Sequence, residues 1–495
     1  MANTHGAGER HDHSWFGERI QGGTGRIETP ESEADVIRIL KDPARYPSPV
    51  RPVGSRHSMT PCMSAMSPGE TAGHWGTLVD MTRFTRLSDG SSLRVETRGG
   101  ETTITVPAGR TFIDVAREAR ERGLQFRVNP EIGPITMGAA ACGATKDSSF
   151  PGESGQVCRD VIGMRLVRPD GKPAELREGD ADFDALRCSY GLFGIVTEVT
   201  CRVFPPHYIS LRHQSVRPRD GMKFTAAELR EHFRKWIGGK QAGEDENAVF
   251  LYLFPYRDRI AAEMRRKPAI EGMPKERSLR LEIRNHFWDM GSHSWEKFAR
   301  MTGTPLKRRL QDLFGRILRW YLAYLLHLRR INPVAQIVDF EKGDKEHRFT
   351  FSMWAFPEDE FPEILPLYFE LCRKHEGSFR SGLPHASYHI GKDTSSPLSY
   401  SRRGAVWTLD PISPENKTPD EKAAWRRFLE EFNDLCSKRG GVPLLNQTPY
   451  LTREQVRRAY GEQLTKFETA RRRFDPEDRM LNAYFADFLG PAPTQ

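Results

Sequence analysis

The chain has 495 residues, with 74 Lys and Arg against 66 Asp and Glu, a formal net charge of +8. Hydrophobic residues make up 38% and charged residues 28%, with 42 glycines and seven cysteines, which excludes a disordered, collagen-like or disulfide-scaffold protein. The length predicts two or three domains, ample to bury a core.

Residues 1–26 are polar and glycine-rich, and His5, His11 and His13 lack Cys or carboxylate partners at ligand spacing, so they read as a solvated lead-in and no metal site is expected. The N-terminus has no apolar core of about 7–15 residues, so no secretory signal is expected. No stretch reaches ~18 consecutive apolar residues. Cys62, Cys142, Cys158, Cys188, Cys201, Cys372 and Cys436 are odd in number and form no CxxC. Together these features predict a cytoplasmic protein.

From Ile27 the texture is one of short strands and helices. Residues 31–40 read as a helix, 49–53 as extended, and 77–81 and 103–106 as strands. Thr111 offers an N-cap to a helix in which Phe112, Val115, Ala116 and Ala119 recur up to a stop at Gly123. Residues 161–167 and 172–176 flank Pro169–Asp170–Gly171 as a hairpin, 182–186 looks helical, and 194–203 is a β-branched strand ending at Pro205–Pro206, the first domain boundary. Residues 207–440 are more charged, with longer helical periods and aromatic-rich strands at 249–254, 348–354 and 405–409. Within them 306–328 carries an apolar stripe of Leu310, Ile317, Tyr321 and Leu328 edged by arginines. It reads as a helix packed on its own domain or as an interfacial helix whose arginines meet lipid head groups. A charged amphipathic helix over 452–474 and a short one over 481–489 close the chain.

Two runs carry chemistry. In Arg51–Ser58, RPVGSRHS, Gly54 permits a tight turn after which successive N–H groups of Ser55, Arg56, His57 and Ser58 can converge on a diphosphate. Alone, the run also fits an ordinary Gly/Ser loop. In Gly138–Ala144, GAAACGA, almost no side chain is present, which suits close approach of backbone to a flat ligand or, equally, a tightly packed turn in the core.

The order of these runs is more specific than either alone. RPVGSRHS, a strand ending in Val79–Asp80–Met81, Val106–Pro107–Ala108–Gly109 before a helix, the small-residue run, the 169–171 hairpin and then Tyr190–Glu198 together resemble the FAD domain of the vanillyl-alcohol oxidase, or PCMH-type, flavoproteins. Among these, the sugar-lactone and alditol oxidases look nearest. The resemblance covers about 27–206, and 467–484 resembles the family's closing segment. It implies an α+β fold with two lobes. These are a PCMH-type FAD-binding domain over 27–206 and a substrate-binding cap with an antiparallel sheet over 207–440, with 441–495 returning to the FAD domain.

Carried over by position, the resemblance puts the FAD pyrophosphate on Val53, Gly54, Ser55, Arg56, His57 and Ser58. It makes His57 the histidine that relatives often join covalently to the flavin. Gly138, Cys142, Thr145 and Lys146 would lie along the flavin, Gly155 and Val157 beside it, and Ile195 and Val196 would contact it through backbone. Lys146 stands where many relatives have His, and the cation could favour an anionic substrate group or an anionic reduced flavin. Glu131–Ile132–Gly133 stands where doubly linked relatives have Cys, so no second link is expected. The family's Glu-x-Arg pair is replaced near 387–393 by His389 and Lys392, and Leu444–Thr448, which contains Asn446 and Gln447, stands where relatives read His-Trp-Gly-Lys. His389 could serve as a general base or be a satisfied structural histidine. Strand alternation sends it to the opposite face from Tyr388.

The resulting expectation is an FAD-dependent oxidase or dehydrogenase that oxidises a CH–OH group of a small polyol, sugar or lactone and passes electrons to oxygen or another acceptor. A sterol or other lipid alcohol is the alternative, favoured if 306–328 touches a membrane. A non-enzymatic basic protein is the third class. Against it, +8 is dilute over this length and no nucleic-acid motif is present, so no nucleic-acid partner is expected.

Overall fold

A computed structural model describes residues 12–14, 18–23, 25–68, 74–238, 246–267, 305–320, 331–337, 349–414 and 418–489. The first helix, Glu33–Lys41, begins two residues later than its periodicity suggests. Ser32 caps it and Asp35 returns the cap reciprocally, while Val36, Ile39 and Leu40 are buried. It packs beside three parallel strands, β1 (Arg26–Glu28), β2 (Val50–Val53) and β3 (Thr77–Asp80), in the order β1-β3-β2. Next comes an antiparallel sheet of β4 (Arg94–Arg98), β5 (Glu101–Pro107), β6 (Val161–Val167), β7 (Pro173–Arg177) and β8 (Ile195–Val203), ordered β4-β5-β8-β6-β7. The β6–β7 turn needs Gly171, whose φ of 76° lies in the left-handed region. Thr111 caps the helix Phe112–Glu121 as its sequence position foretells.

The small-residue run folds as the helix Met137–Cys142. Its Ala140 and Ala141 enter the same core as Ile104, Phe112 and Phe193, a core that also takes in Phe467, Phe474 and Phe485 from the C-terminal segment. Each large apolar side chain buried there contributes about 1.5–3 kcal/mol. The closing segment is tied down by polar contacts as well. The Arg479 guanidinium donates to the carbonyls of Ile39, Leu40 and Tyr46 at 3.1–3.2 Å, and Phe193 packs on Phe467 and Phe474 with ring centroids 5.4 and 5.1 Å apart.

After Pro205–Pro206 the chain builds a second sheet. Its strands are β9 (Ser210–Val216), β10 (Asn247–Phe254), β11 (Arg259–Arg266), then β13 (Trp354–Pro357), β14 (His385–Ile390), β15 (Val406–Leu409) and β17 (Val442–Pro443), in the order β17-β13-β15-β14-β10-β11-β9. A separate pair joins β12 (Phe349–Phe351) to β16 (Ile412–Pro414). One face of the large sheet buries Leu251, Leu253, Trp354 and Trp407 under helices Ala226–Ile237, Phe361–His375 and Pro419–Lys438. The other face, bearing Phe250, Tyr252, Ala261 and Ala386, meets the first body.

Three elements differ from their sequence reading. Residues 348–354 were expected as one strand, but Ser352 and Met353 turn the chain between two sheets, so Phe349–Phe351 and Trp354–Pro357 pair with different partners. The 452–474 helix breaks at Gly461, φ 51°, into Arg453–Tyr460 and Glu462–Phe474. Of 306–328, Pro305–Trp320 is helical, and Tyr321 and Leu328 lie outside the described residues.

Candidate active site

A cavity of about 360 Å³ lies between the two bodies, inside the range of roughly 300–1,000 Å³ typical of ligand sites. Its two walls are made differently. The first body supplies Val53–Ser58, Gly138, Ala139, Cys142, Gly143 and Gly191, a surface of backbone and small side chains. The second supplies Phe250, Tyr252, Tyr388, Asp410 and Ile412.

The Val53–Ser58 loop is bent by Arg56, whose φ of 60° is left-handed, so neighbouring N–H groups turn toward one another. The Arg56 guanidinium reaches Asp80 at 3.9 Å, and the Ser55 hydroxyl donates to the Pro134 carbonyl. Gly54 cannot carry a side chain, because a Cβ would sit 2.0 Å from Thr136 Oγ1, the N-cap residue of Met137–Cys142. Arg51, buried behind the loop, donates to the carbonyls of Cys62, Tyr190 and Met480 at 2.6–2.8 Å. It thereby joins the loop to the Tyr190–Gly194 turn and to the C-terminal segment, and burial pushes its own pKa down to about 10. This buried hub lay unrecognised at the edge of the motif. Burial also raises the Cys142 thiol to about 12, so it stays protonated in the cavity wall.

The chemically active wall centres on Lys146. Its Nζ lies 3.1 Å from Asp410 Oδ2 and 4.3 Å from the Tyr388 ring centroid. Asp410 Oδ1 is buried with no hydrogen-bond partner among the described residues. Burial raises the Asp410 carboxyl above the ordinary carboxylate range, and Lys146 opposes that rise. The Tyr388 hydroxyl donates to Glu131 Oε2 at 3.2 Å. Asn446 Oδ1 and Gln447 Oε1 are buried without hydrogen-bond partners, in side chains that line the same cavity.

Val53, Gly54, Ser55, Arg56, His57, Ser58, Gly138, Cys142, Thr145, Lys146, Val196, Asn446 and Gln447 all line the cavity. Five expected residues do not. His389 lies on the helix-covered face of β14, with Nε2 3.1 Å from Glu358 and its ring against Trp407. Alternation gave the cavity to Tyr388. Lys392 is exposed beyond the end of the strand. Gly155 and Val157 brace the 145–147 segment from behind, through Asp147 N–H to the Gly155 carbonyl and Val157 N–H to the Thr145 carbonyl, each 2.9 Å. Ile195 turns to the opposite face of β8 from Val196 and packs with Val36, Val79 and Met480. Lys146, expected to favour an anionic group, is paired with Asp410 at 3.1 Å. Asp410, just after β15, is not singled out by the sequence, and Glu131, in the loop between two helices, reads there only as lacking a cysteine, because neither stands in a motif for substrate chemistry. Only the pairing of Ala386 with Asp410 brings the latter beside Tyr388.

These residues fit FAD. The wall from Gly54 to Gly143 leaves room for a flat ring system against backbone, and the orphaned Asn446 and Gln447 oxygens await donors such as ring N–H groups.

Comparison with known proteins agrees. Residues 26–177 match a family described as FAD binding domain, and residues 240–488, half of the chain, match D-arabinono-1,4-lactone oxidase. The chain is 23% identical to an L-gulono-1,4-lactone dehydrogenase of Mycobacterium tuberculosis, over 97% of this chain and 99% of that protein. It is 26% identical to a probable L-gulonolactone oxidase of Arabidopsis thaliana over 48% of this chain and 40% of that one. Cholesterol oxidase from Brevibacterium sterolicum shares the fold, with a TM-score of 0.68 at 14% identity over 97% of this chain and 96% of that one. The backbone-lined cavity and these matches lead to one conclusion: the chain belongs to the D-arabinono-1,4-lactone oxidase family and is an FAD-dependent oxidoreductase.

Proposed function

We propose that the protein oxidises a secondary CH–OH group of an uncharged sugar lactone, with Asp410 as the proton acceptor. The observation that carries this reading is the buried Lys146–Asp410 pair in the cavity wall, whose Asp410 Oδ1 has no hydrogen-bond partner among the described residues. A substrate hydroxyl can donate to that oxygen, while Lys146 is already paired with Asp410. Bound FAD supplies the acceptor for the two electrons and hydrogen lost from the carbinol carbon. Asp410 Oδ1 takes the hydroxyl proton as the C=O bond forms, and Lys146 Nζ stabilises the negative charge growing on that oxygen. The lactone names of the relatives support the substrate class.

In this reading 27–206 and 441–495 hold FAD, 207–440 caps it, and His57 carries the covalent link. Acid precipitation tests the link. A yellow pellet that turns colourless in His57→Ala supports it, and a yellow supernatant overturns it. The substrate is tested by reduction of the bound flavin with aldonolactones, the matching aldonates, polyols and sterols. Faster reduction by aldonates or by sterols than by lactones would overturn the proposal.

A second reading concerns location. No described helix is long and apolar enough to cross a membrane. The helix Pro305–Trp320, however, exposes Leu313, Ile317 and Trp320 at 48%, 54% and 56%, beside exposed Arg309 and Arg316. Asp312, on another side of the helix, is held by Arg257 and Arg380 at 2.8 Å. Apolar residues flanked by cations suit an anionic lipid surface. Flotation with phosphatidylserine-containing vesicles that is lost in Leu313→Asp supports this contact, and no flotation at low salt overturns it.

A further inference from the structure

Arg265 lines no part of the cavity, yet it is buried in β11 and faces three carboxylates. Its Nη1 donates to both Asp147 oxygens at 2.8 and 2.7 Å, its Nε to Glu263 Oε1 at 2.8 Å, and its Nη2 faces Glu131 Oε1 at 3.5 Å. Two of these carboxylates belong to the first body and one to the cap. Asp147 directly follows Lys146, and Glu131 accepts the Tyr388 hydroxyl through its other oxygen. The same guanidinium therefore grips the chain next to Lys146 and the acceptor that orients Tyr388.

We infer that Arg265 is a positioning residue, which sets Lys146 and Tyr388 against Asp410 by clamping Asp147 and Glu131 across the junction of the two bodies. A planar fork is needed for this. Three nitrogens serve three carboxylates, Nη1 to Asp147, Nε to Glu263 and Nη2 toward Glu131, and the single ammonium of a lysine cannot meet all three. The surrounding backbone bonds explain why the clamp is local. Ser148 Oγ donates to the Val249 carbonyl, Ser149 N–H to the His389 carbonyl at 3.0 Å, and Gly391 N–H to Ser149 Oγ at 2.7 Å, so the 148–149 segment stays docked on the cap without Arg265. What the guanidinium adds is the orientation of the side chains on either side. Behind Arg265, Glu263 is itself held by His213 Nε2 at 3.0 Å, which keeps the clamp from rotating away on its strand.

The inference rests on the reading of Lys146, Asp410 and Tyr388 as the oxidation site, and its test separates the two. The holoenzyme is compared with Arg265→Lys, Asp147→Asn and Glu131→Gln for FAD content, visible flavin spectrum, KM and kcat with an aldonolactone. Misplacement of groups by about 1 Å costs on the order of 100-fold, so Arg265→Lys is expected to retain FAD and KM, lose about that factor in kcat and shift the flavin band. Asp147→Asn should reproduce part of this loss, and Arg265→Lys in the Glu131→Gln background should cost less than in the wild type. Loss of FAD in proportion to activity, an unchanged kcat, or strictly additive effects with Glu131→Gln would overturn the inference. If the wild type oxidises no lactone, the functional reading fails, and the flavin band still decides the clamp: shifted in Arg265→Lys it stands, unshifted it falls.

Discussion

The two walls of the cavity obey different rules. The FAD-side wall is local in sequence, with Val53–Ser58 and Gly138–Gly143 each contributing several consecutive residues, mostly through backbone. The substrate-side wall is dispersed. Tyr388, Asp410, Phe250 and Glu131 come from separate segments, one side chain at a time, and Lys146 acts through partners remote in the chain. A wall made of backbone depends on what side chains are absent, and a wall made of side chains depends on which strands pair.

The sharpest way to break this contrast is at Gly54. A methyl there would meet Thr136 Oγ1 at 2.0 Å, so Gly54→Ala is expected to abolish FAD retention, read as the flavin absorbance of purified protein that remains folded by circular dichroism. Full flavin content would show that the wall does yield. Asp410→Asn tests the other wall. It should keep FAD and KM while lowering kcat by about 10²–10⁴-fold, the usual worth of a general base. Wild-type rates of flavin reduction would remove Asp410 from the chemistry.

A smaller effect is expected at two buried imidazoles, His385 at the start of β14 and His207 beside Gln125. Burial holds His385 near pKa 3, with Tyr368 at its Nδ1, and burial beside Lys267 holds His207 near 4. The folded chain keeps both imidazoles neutral, while the unfolded chain protonates them near 6.5. Stability present above about pH 6.5 is therefore lost as pH falls toward 4 and then 3. Thermal unfolding followed from pH 7.5 to 4.5 should show a falling Tm, with a shallower fall in His385→Gln. An identical slope in that variant would refute the assignment.

The smallest effect is expected at His389. With Nε2 on Glu358 and its ring against Trp407, it is a packing residue, so His389→Gln should lower Tm slightly and leave kcat near wild type. A collapse of kcat with FAD retained would restore His389 as the base and undo the assignment of Asp410.

Much of the fold is legible in the chain because its signals are local. Thr111 caps its helix, Gly171 makes its turn, and Pro205–Pro206 separates the last strand of one sheet from the first of the next. The FAD-side wall is legible only through the order of its runs, since the glycines and alanines of 138–144 alone fit a packed core segment equally well. Alternation along β14 was readable too, and it stated that His389 and Tyr388 face opposite ways. Which way is inside depended on the helices Ala226–Ile237 and Phe361–His375, which claim the face bearing Leu251, Leu253 and Trp407 and leave Tyr388 to the cavity.

The amino-acid sequence by itself pointed to the cofactor class, because the runs at 51–58 and 138–144, taken in order with the strands and turns between them, resemble those of a known FAD-binding family. Only the tertiary structure decided the chemistry of the substrate side. Lys146, Asp410, Glu131 and Arg265 acquire their partners through packing across up to 264 positions, as Lys146 does with Asp410. The charge balance of the site is a property of that packing, since burial and ion pairing, rather than residue identity, set how each group behaves.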